Sequence, residues 1–199
     1  MERRSVTTVA RRAQIVAATI EVLAETGYRD TSFARIAEHA GLSSTRLISY
    51  HFASKGDLIA AVVTQVVEQM AAEVGGRVQA APDAAARLAA YIEGVVGFTA
   101  AHRAPVRALL EIFLAGGLNY NTETVRESAG AVAAILRDGQ ATGQFRRDFD
   151  PRVIATAVQR AVEGVVFALG AEPELDSAGY ARELVTLFRL GTSAGAGGS

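Results

Sequence analysis

An all-α fold is predicted by three features of this 199-residue chain. Alanine, the strongest helix former, occupies 39 positions, against four for proline. Apolar residues recur three and four apart through most of the sequence, and capping residues or glycines bound each run. No sustained alternation of apolar and polar residues competes with that period.

The elements follow in order. Ile15, Ala18, Val22 and Leu23 define a first helix that Gly27 closes. Thr31 or Ser32 can cap a short second helix carrying Phe33, Ile36, Ala37 and Ala40, which Gly41 breaks. A third short helix is expected from about Ser44 or Thr45 to Phe52, with Ile36, Leu47 and Phe52 in the core. Ser54 then caps a long helix, with Asp57 as its capping-box partner, running through Leu58, Val62, Val66 and Met70 to Gly75-Gly76. Further helices are expected over residues 82–102, from Pro105 to Gly116-Gly117, over 122–142, from Pro151 to about Leu169 behind an Asp150 cap, and over 176–190. That makes about nine helices, followed by a small-residue tail, 191–199, expected to be disordered.

Composition narrows the function classes. The chain has no Cys, which removes disulfides, thiolate metal sites and cysteine nucleophiles. Its apolar stretches near residues 88–101 and 153–169 are interrupted by Glu93 and by Arg160 and Glu163, short of the roughly 18–20 residues a membrane span needs. Arg3, Arg4, Arg11 and Arg12 precede an amphipathic segment instead of an apolar signal core; Arg11 and Arg12 read as a flexible arm or solvated charges. A cytoplasmic location without a membrane partner is expected. The net charge of −1 argues against nucleic acid until it is divided. Residues 1–56 carry eight Lys/Arg against five Asp/Glu, a net +3, whereas residues 57–199 carry twelve against sixteen, a net −4. This is the pattern of a basic module on an acidic body. The chain's single lysine, Lys55, closes the basic part.

The stretch TSFARIAEHAGLSSTRLISYHFASK, residues 31–55, has the local physics of a helix-turn-helix. Ala37 is small where a second helix must cross, and Gly41 supplies a left-handed turn. Ser43, Ser44 and Thr45 offer a cap and hydroxyl donors, and Arg46 heads the helix that would enter a major groove.

Through IVAATIEVLAETGYRDTSFARIAEHAGL and SYHFASKGDL, the chain resembles the TetR family of bacterial transcriptional regulators over about residues 12–63. It departs from the family pattern by one additional residue between Leu42 and Phe52, and by Ser49 in place of an aromatic. The resemblance implies phosphate contacts from Thr31 or Ser32, Tyr50 and Lys55. It implies base or phosphate contacts from Ser43, Ser44, Thr45 and Arg46, with Ser49 and His51 on the same element. It also implies a domain division into a DNA-binding head, 1–56, and an effector-binding and dimerisation region, 57–190. Effector contacts would come from Met70, Tyr91, Phe98, His102, Phe113, Asn119 and Tyr120, favouring an apolar or aromatic small molecule. Homodimer contacts would come from two apolar lines, Val158, Ala161, Val165 and Leu169, and Ala181, Leu184, Val185 and Phe188. The implied partners are double-stranded operator DNA, a small-molecule effector and a second copy.

Only three histidines occur, and no motif arranges them with acidic residues into a metal or catalytic site, so neither a cofactor nor an enzyme activity is expected. Two other readings stay open on the residues. One is a helical small-molecule carrier or interaction module without DNA binding; the other is an activator or corepressor-dependent regulator.

Overall fold

The computed structural model describes residues 2–116 and 122–194, and the side chains of residues 8–116 and 129–194. Among these residues lie ten helices: α1 Glu2–Asp30, α2 Phe33–His39, α3 Arg46–His51, α4 Lys55–Ala80, α5 Ala84–Ala101, α6 Arg103–Leu114, α7 Thr122–Ala141, α8 Pro151–Glu163, α9 Val165–Ala171 and α10 Ser177–Thr192. The described residues contain no strand beyond an isolated bridge between Phe145 and Ser193.

The predicted caps Ser32, Ser54 and Asp150 accept from the backbone N–H of Arg35, Asp57 and Arg152. Asp83 and Asp176, which sequence reasoning did not single out, cap α5 and α10 through Ala86 and Gly179. Several boundaries differ from expectation. α1 starts at Glu2, so Arg11 and Arg12 lie within a helix and not on a flexible arm; it kinks at Gly27, where φ is +77°. α4 passes through Gly75 and Gly76, neither with positive φ, and stops before Ala81-Pro82, where proline disfavours helix in the preceding residue. α6 begins at Arg103, which places Pro105 in its first turn. Residues 151–171 divide at Gly164. Gly191 and Thr192 extend α10 and Ser193 pairs with Phe145, so the ordered chain reaches past the expected start of the tail; residues 195–199 lie outside the described residues. By length and composition alone, Lys55–Ala80 and Pro151–Ala171 could each cross a membrane. Core helices share that property, and these two carry the buried residues Val62, Val66, Val158 and Val162.

The chain divides into two compact units, though not at residue 56. The first comprises α1–α3, α4 as far as Glu68, and α6; the second comprises α4 from Gln69, α5 and α7–α10. In the first, α1 packs against α2 and α6. Ile15 and Leu23 of α1, Ile36 of α2 and Ile48 of α3 are essentially fully buried, each contributing roughly 1.5–3 kcal/mol by leaving water. Ala108 and Ile112 form the buried side of α6.

In the second unit α5 is central, packing against α7, α8, α9 and α10. Its Leu88, Ile92 and Val96 join Val132 and Leu136 of α7 and Val158 and Val162 of α8 in one core. The loop after α7 folds Phe145 back onto that helix, with its N–H bonded to the Gly139 carbonyl at 3.0 Å. A Cβ at Gly139 would overlap the Phe145 ring, whereas one at Gly130, on the same helix, would meet nothing within 4 Å. Gly139→Ala should therefore lower stability by about 1–3 kcal/mol, and Gly130→Ala should raise it by about 0.4–1 kcal/mol. Denaturant midpoints of the two variants measure the opposite signs.

Candidate nucleic-acid interface

The turn between α2 and α3 is set by backbone geometry. Gly41 takes φ +63°, its N–H donates to Glu38 O at 3.1 Å, and the Leu42 N–H donates to Ala37 O at 2.8 Å. These are the two bonds of a Schellman ending, and a residue with a Cβ would pay for the left-handed conformation. The first turn of α3 is tight, with Leu47 N–H donating to Ser44 O and Ile48 N–H to Thr45 O. The Ser44 hydroxyl accepts from the Arg46 N–H at 3.1 Å, whereas Thr45 at the N-cap position makes no side-chain cap bond.

This tight entry sets the rotation of α3. Ile48 and Phe52, four apart, are buried at 0 % and 2 % exposure, whereas Leu47 is 36 % exposed. The expectation of a core Leu47 is thus corrected: Ile48 takes that place. Ser43, Ser44, Thr45, Arg46, Ser49 and Tyr50 are all exposed, and His51 is half-buried. The His51 ring meets the Tyr50 ring edge-on, with centroids 5.1 Å apart.

Two side chains of α1 hold the motif at the C-terminal ends of α2 and α3. Gln14 Nε2 donates to the Ala40 carbonyl at 2.9 Å, where α2 terminates. Arg12 Nη1 donates to the His51 carbonyl at 3.0 Å, and its guanidinium lies 4.1 Å from the Phe52 ring centroid. Arg12 is therefore part of the scaffold of α3.

Two residues assigned to phosphate differ from expectation. Thr31 is buried, and its hydroxyl donates to the Gly27 carbonyl at 2.7 Å; Ser32, exposed at the start of α2, is the hydroxyl left at the surface. Lys55 is half-buried. Its Nζ donates to the Tyr28 carbonyl at 2.9 Å and the Thr31 carbonyl at 2.7 Å, and lies 4.5 Å from the Tyr28 ring centroid. Two of its three N–H donors are thus committed to tying α4 to the connection between α1 and α2. Sequence reasoning missed these roles of Lys55, Arg12 and Gln14 because all three act on backbone oxygens, which leave no sequence signal.

The expected effector residues divide between the units. In the second, Phe98 is buried against His102, with ring centroids 4.3 Å apart. His102 Nε2 lies 3.2 Å from Glu73 Oε1. The Gln69 side-chain amide, and then His102, hold the Glu73 carboxyl below its ordinary range. Met70 and Tyr91 pack on the same core, and the Tyr91 hydroxyl donates to Gln159 Oε1 at 2.5 Å. Phe113 belongs instead to the first unit and is 42 % exposed. Asn119 and Tyr120 lie outside the described residues.

Half of the expected dimer residues are corrected. Val158, Val165, Leu169 and Ala181 are buried in their own unit, and Leu184, Val185 and Phe188 pack against it; Ala161 is half-buried. The apolar side chains left exposed on α8, α9 and α10 are Val153, Phe167, Leu187 and Leu190. These helices are apolar on two sides, and periodicity does not distinguish the inner line from the outer one.

Residues 15–62 match the tetR family of bacterial regulatory proteins. The chain is 35% identical over 102 residues to the HTH-type transcriptional regulator BetI of Escherichia coli O17:K52:H18, covering 50% of this chain and 52% of that protein. It is 32% identical over 105 residues to BetI of Cronobacter sakazakii, covering 52% of each. The chain thus spans about half the length of the curated relatives it matches. Among solved structures it is similar to a putative TetR-family transcriptional regulator from Rhodococcus sp. (TM-score 0.79, 22% identity, 91% of this chain and 98% of that one). It is also similar to the fatty acid degradation regulator FadR from Bacillus halodurans (TM-score 0.78, 20% identity, 90% and 94%). A third is AibR in complex with isovaleryl coenzyme A and operator DNA (TM-score 0.76, 17% identity, 89% and 97%).

The two bonds from Lys55 predict a structural phenotype. Lys55→Met should cost about 1–3 kcal/mol of stability by leaving two carbonyls without their charged donor. The slope of log affinity against log salt for duplex DNA should remain unchanged, where loss of a phosphate contact would reduce it by about 0.9. Denaturant unfolding and a salt titration of DNA binding measure the two effects separately.

Proposed function

We propose that this chain, whose residues 15–62 match the tetR family of bacterial regulatory proteins, is a homodimeric transcriptional repressor that binds a palindromic operator and is released by a small-molecule effector. The observation that carries this reading is the outward face of α3. Its inward side is fixed by Ile48 and Phe52, and its exit and the exit of α2 are held from α1, which leaves Arg46, Ser49 and Tyr50 exposed together. In this reading α3 enters the major groove. Arg46 reads a base edge, and Ser32, Ser43, Thr45 and the Tyr50 hydroxyl contact phosphate. Ser44 and His51 brace the helix. Lys55 holds the α1–α2 connection in place.

One α3 covers one half-site, so operator binding requires a second copy with its α3 about one DNA turn away. For that contact we assign the exposed side chains of Val153, Phe167, Leu187 and Leu190, because large apolar residues left at the surface favour a self-complementary interface.

The effector is placed in the second unit, against Met70, Tyr91, Phe98 and His102. The mostly apolar character of these residues favours an apolar or aromatic molecule with a few polar groups. Regulators solved in complex with isovaleryl coenzyme A and with stearoyl-CoA share the fold at 17% and 20% identity. Likeness at that level concerns architecture, so the effector class rests on this chain's own side chains. Release follows if the effector binds more tightly to a dimer geometry that mismatches the half-site spacing.

Selection from a random duplex pool tests the reading. Enrichment of a palindrome, bound with a steep salt dependence, is expected; no enriched sequence at low salt would overturn it. Arg46→Ala should lose about 1–3 kcal/mol of discrimination at one base pair per half-site while keeping non-specific binding, measured by competition between the operator and single-base variants. Phe167→Glu should yield a folded monomer by sedimentation, with unchanged helical circular dichroism and at least tenfold weaker operator binding.

A further inference from the structure

The outward face of α3 carries a large apolar side chain that neither phosphate binding nor helix bracing uses. Leu47 is 36 % exposed, next to Arg46 and one turn before Tyr50, which is 79 % exposed. At 100° per residue, Arg46 and Tyr50 lie almost opposite the buried Ile48, and Leu47 and Ser49 flank them. Ser44, Arg46, Leu47, Ser49 and Tyr50 line one shallow depression. The edge-on contact with His51 holds the Tyr50 ring as one of its walls.

An isobutyl group on a surface that meets DNA must be desolvated against something apolar. On the major-groove edges of the four base pairs, the apolar group is the C5 methyl of thymine. The neighbouring guanidinium, Arg46, matches guanine O6 and N7 in bidentate fashion. The net +3 charge of residues 1–56 makes a polyanion the fitting occupant of this face.

The geometry points to Leu47 as a specificity-determining residue that reads a thymine methyl. The half-site would then contain a thymine beside the guanine contacted by Arg46, with the Tyr50 ring closing the other side of the methyl group. This rests on the operator-binding reading above and names the base chemistry that the same face recognises. It also assigns a role to the residue that the tight entry of α3 turns away from the core.

The test uses the full-length protein and the duplex enriched by selection, with each thymine replaced in turn by deoxyuridine, which removes only the methyl. At one thymine per half-site, the replacement should weaken wild-type binding about three- to fivefold, the size expected for one buried methyl. Leu47→Ala should bind the thymine operator more weakly by a similar factor and lose nothing further on deoxyuridine replacement. Leu47→Met, which keeps an apolar side chain, should retain the sensitivity. Wild-type indifference to every replacement, a half-site without thymine, or equal sensitivity of wild type and Leu47→Ala would overturn the inference while leaving the regulator reading intact. If no duplex is enriched, both fall.

Discussion

The Lys55 ammonium ties the start of α4 to the carbonyls of Tyr28 and Thr31, where the chain passes from α1 to α2. The position of the helix-turn-helix depends on this contact, because α2 and α3 have only seven and six residues. Helices so short are marginal without tertiary support. A charged donor shared by two carbonyls, with the Tyr28 ring beneath it, supplies that support at a point where no helical hydrogen bond can run. Arg12 and Gln14 supply it at two other points. Between these side chains, the entry to α2, its exit and the exit from α3 are each held by a cation or amide acting on a backbone oxygen.

Much of the architecture was legible because helix ends are encoded locally. Asp83, Asp150 and Asp176 each cap the helix they precede, and Gly41 makes the turn that its position demanded. The phase of α3 was not legible. Six residues span less than two turns, too few for periodicity to show which side faces inward. The turn at Ser44 and Thr45 is tight, and each residue of register rotates a helix by about 100°. Leu47 and Ile48 are both apolar, and packing alone decides between them. The two carbonyl bonds of Lys55 were hidden for a different reason: its place in the motif is clear, but a lysine beside a phosphate and a lysine bonded to two carbonyls have the same sequence.

The second unit shows the limits of composition. α8, α9 and α10 are apolar on more than one side, so one line can fill the core with Val158, Val165, Leu169 and Ala181 while another leaves Val153, Phe167, Leu187 and Leu190 at the surface. Glycine was equally ambiguous. Gly75 and Gly76 are helical, whereas Gly139 makes room for Phe145, brought back from residues beyond the end of its own helix. Neither outcome follows from the residue type. Assignment of α6 to the first unit likewise depends on the burial of Ala108 and Ile112, a long-range contact that local sequence does not announce.

The side chains that position α3 contact main-chain atoms at its margins: the His51 carbonyl, the Ala40 carbonyl, and the carbonyls of Tyr28 and Thr31. Every residue type presents those atoms in the same way. The outward positions of α3 are therefore mechanically uncoupled from the frame that holds them, and substitutions there are free to drift while the frame stays put. A lineage built on this plan can acquire a new target sequence through a few changes at positions 46, 47, 49 and 50 without re-evolving its fold, and the same separation makes those four positions a natural site for redesign.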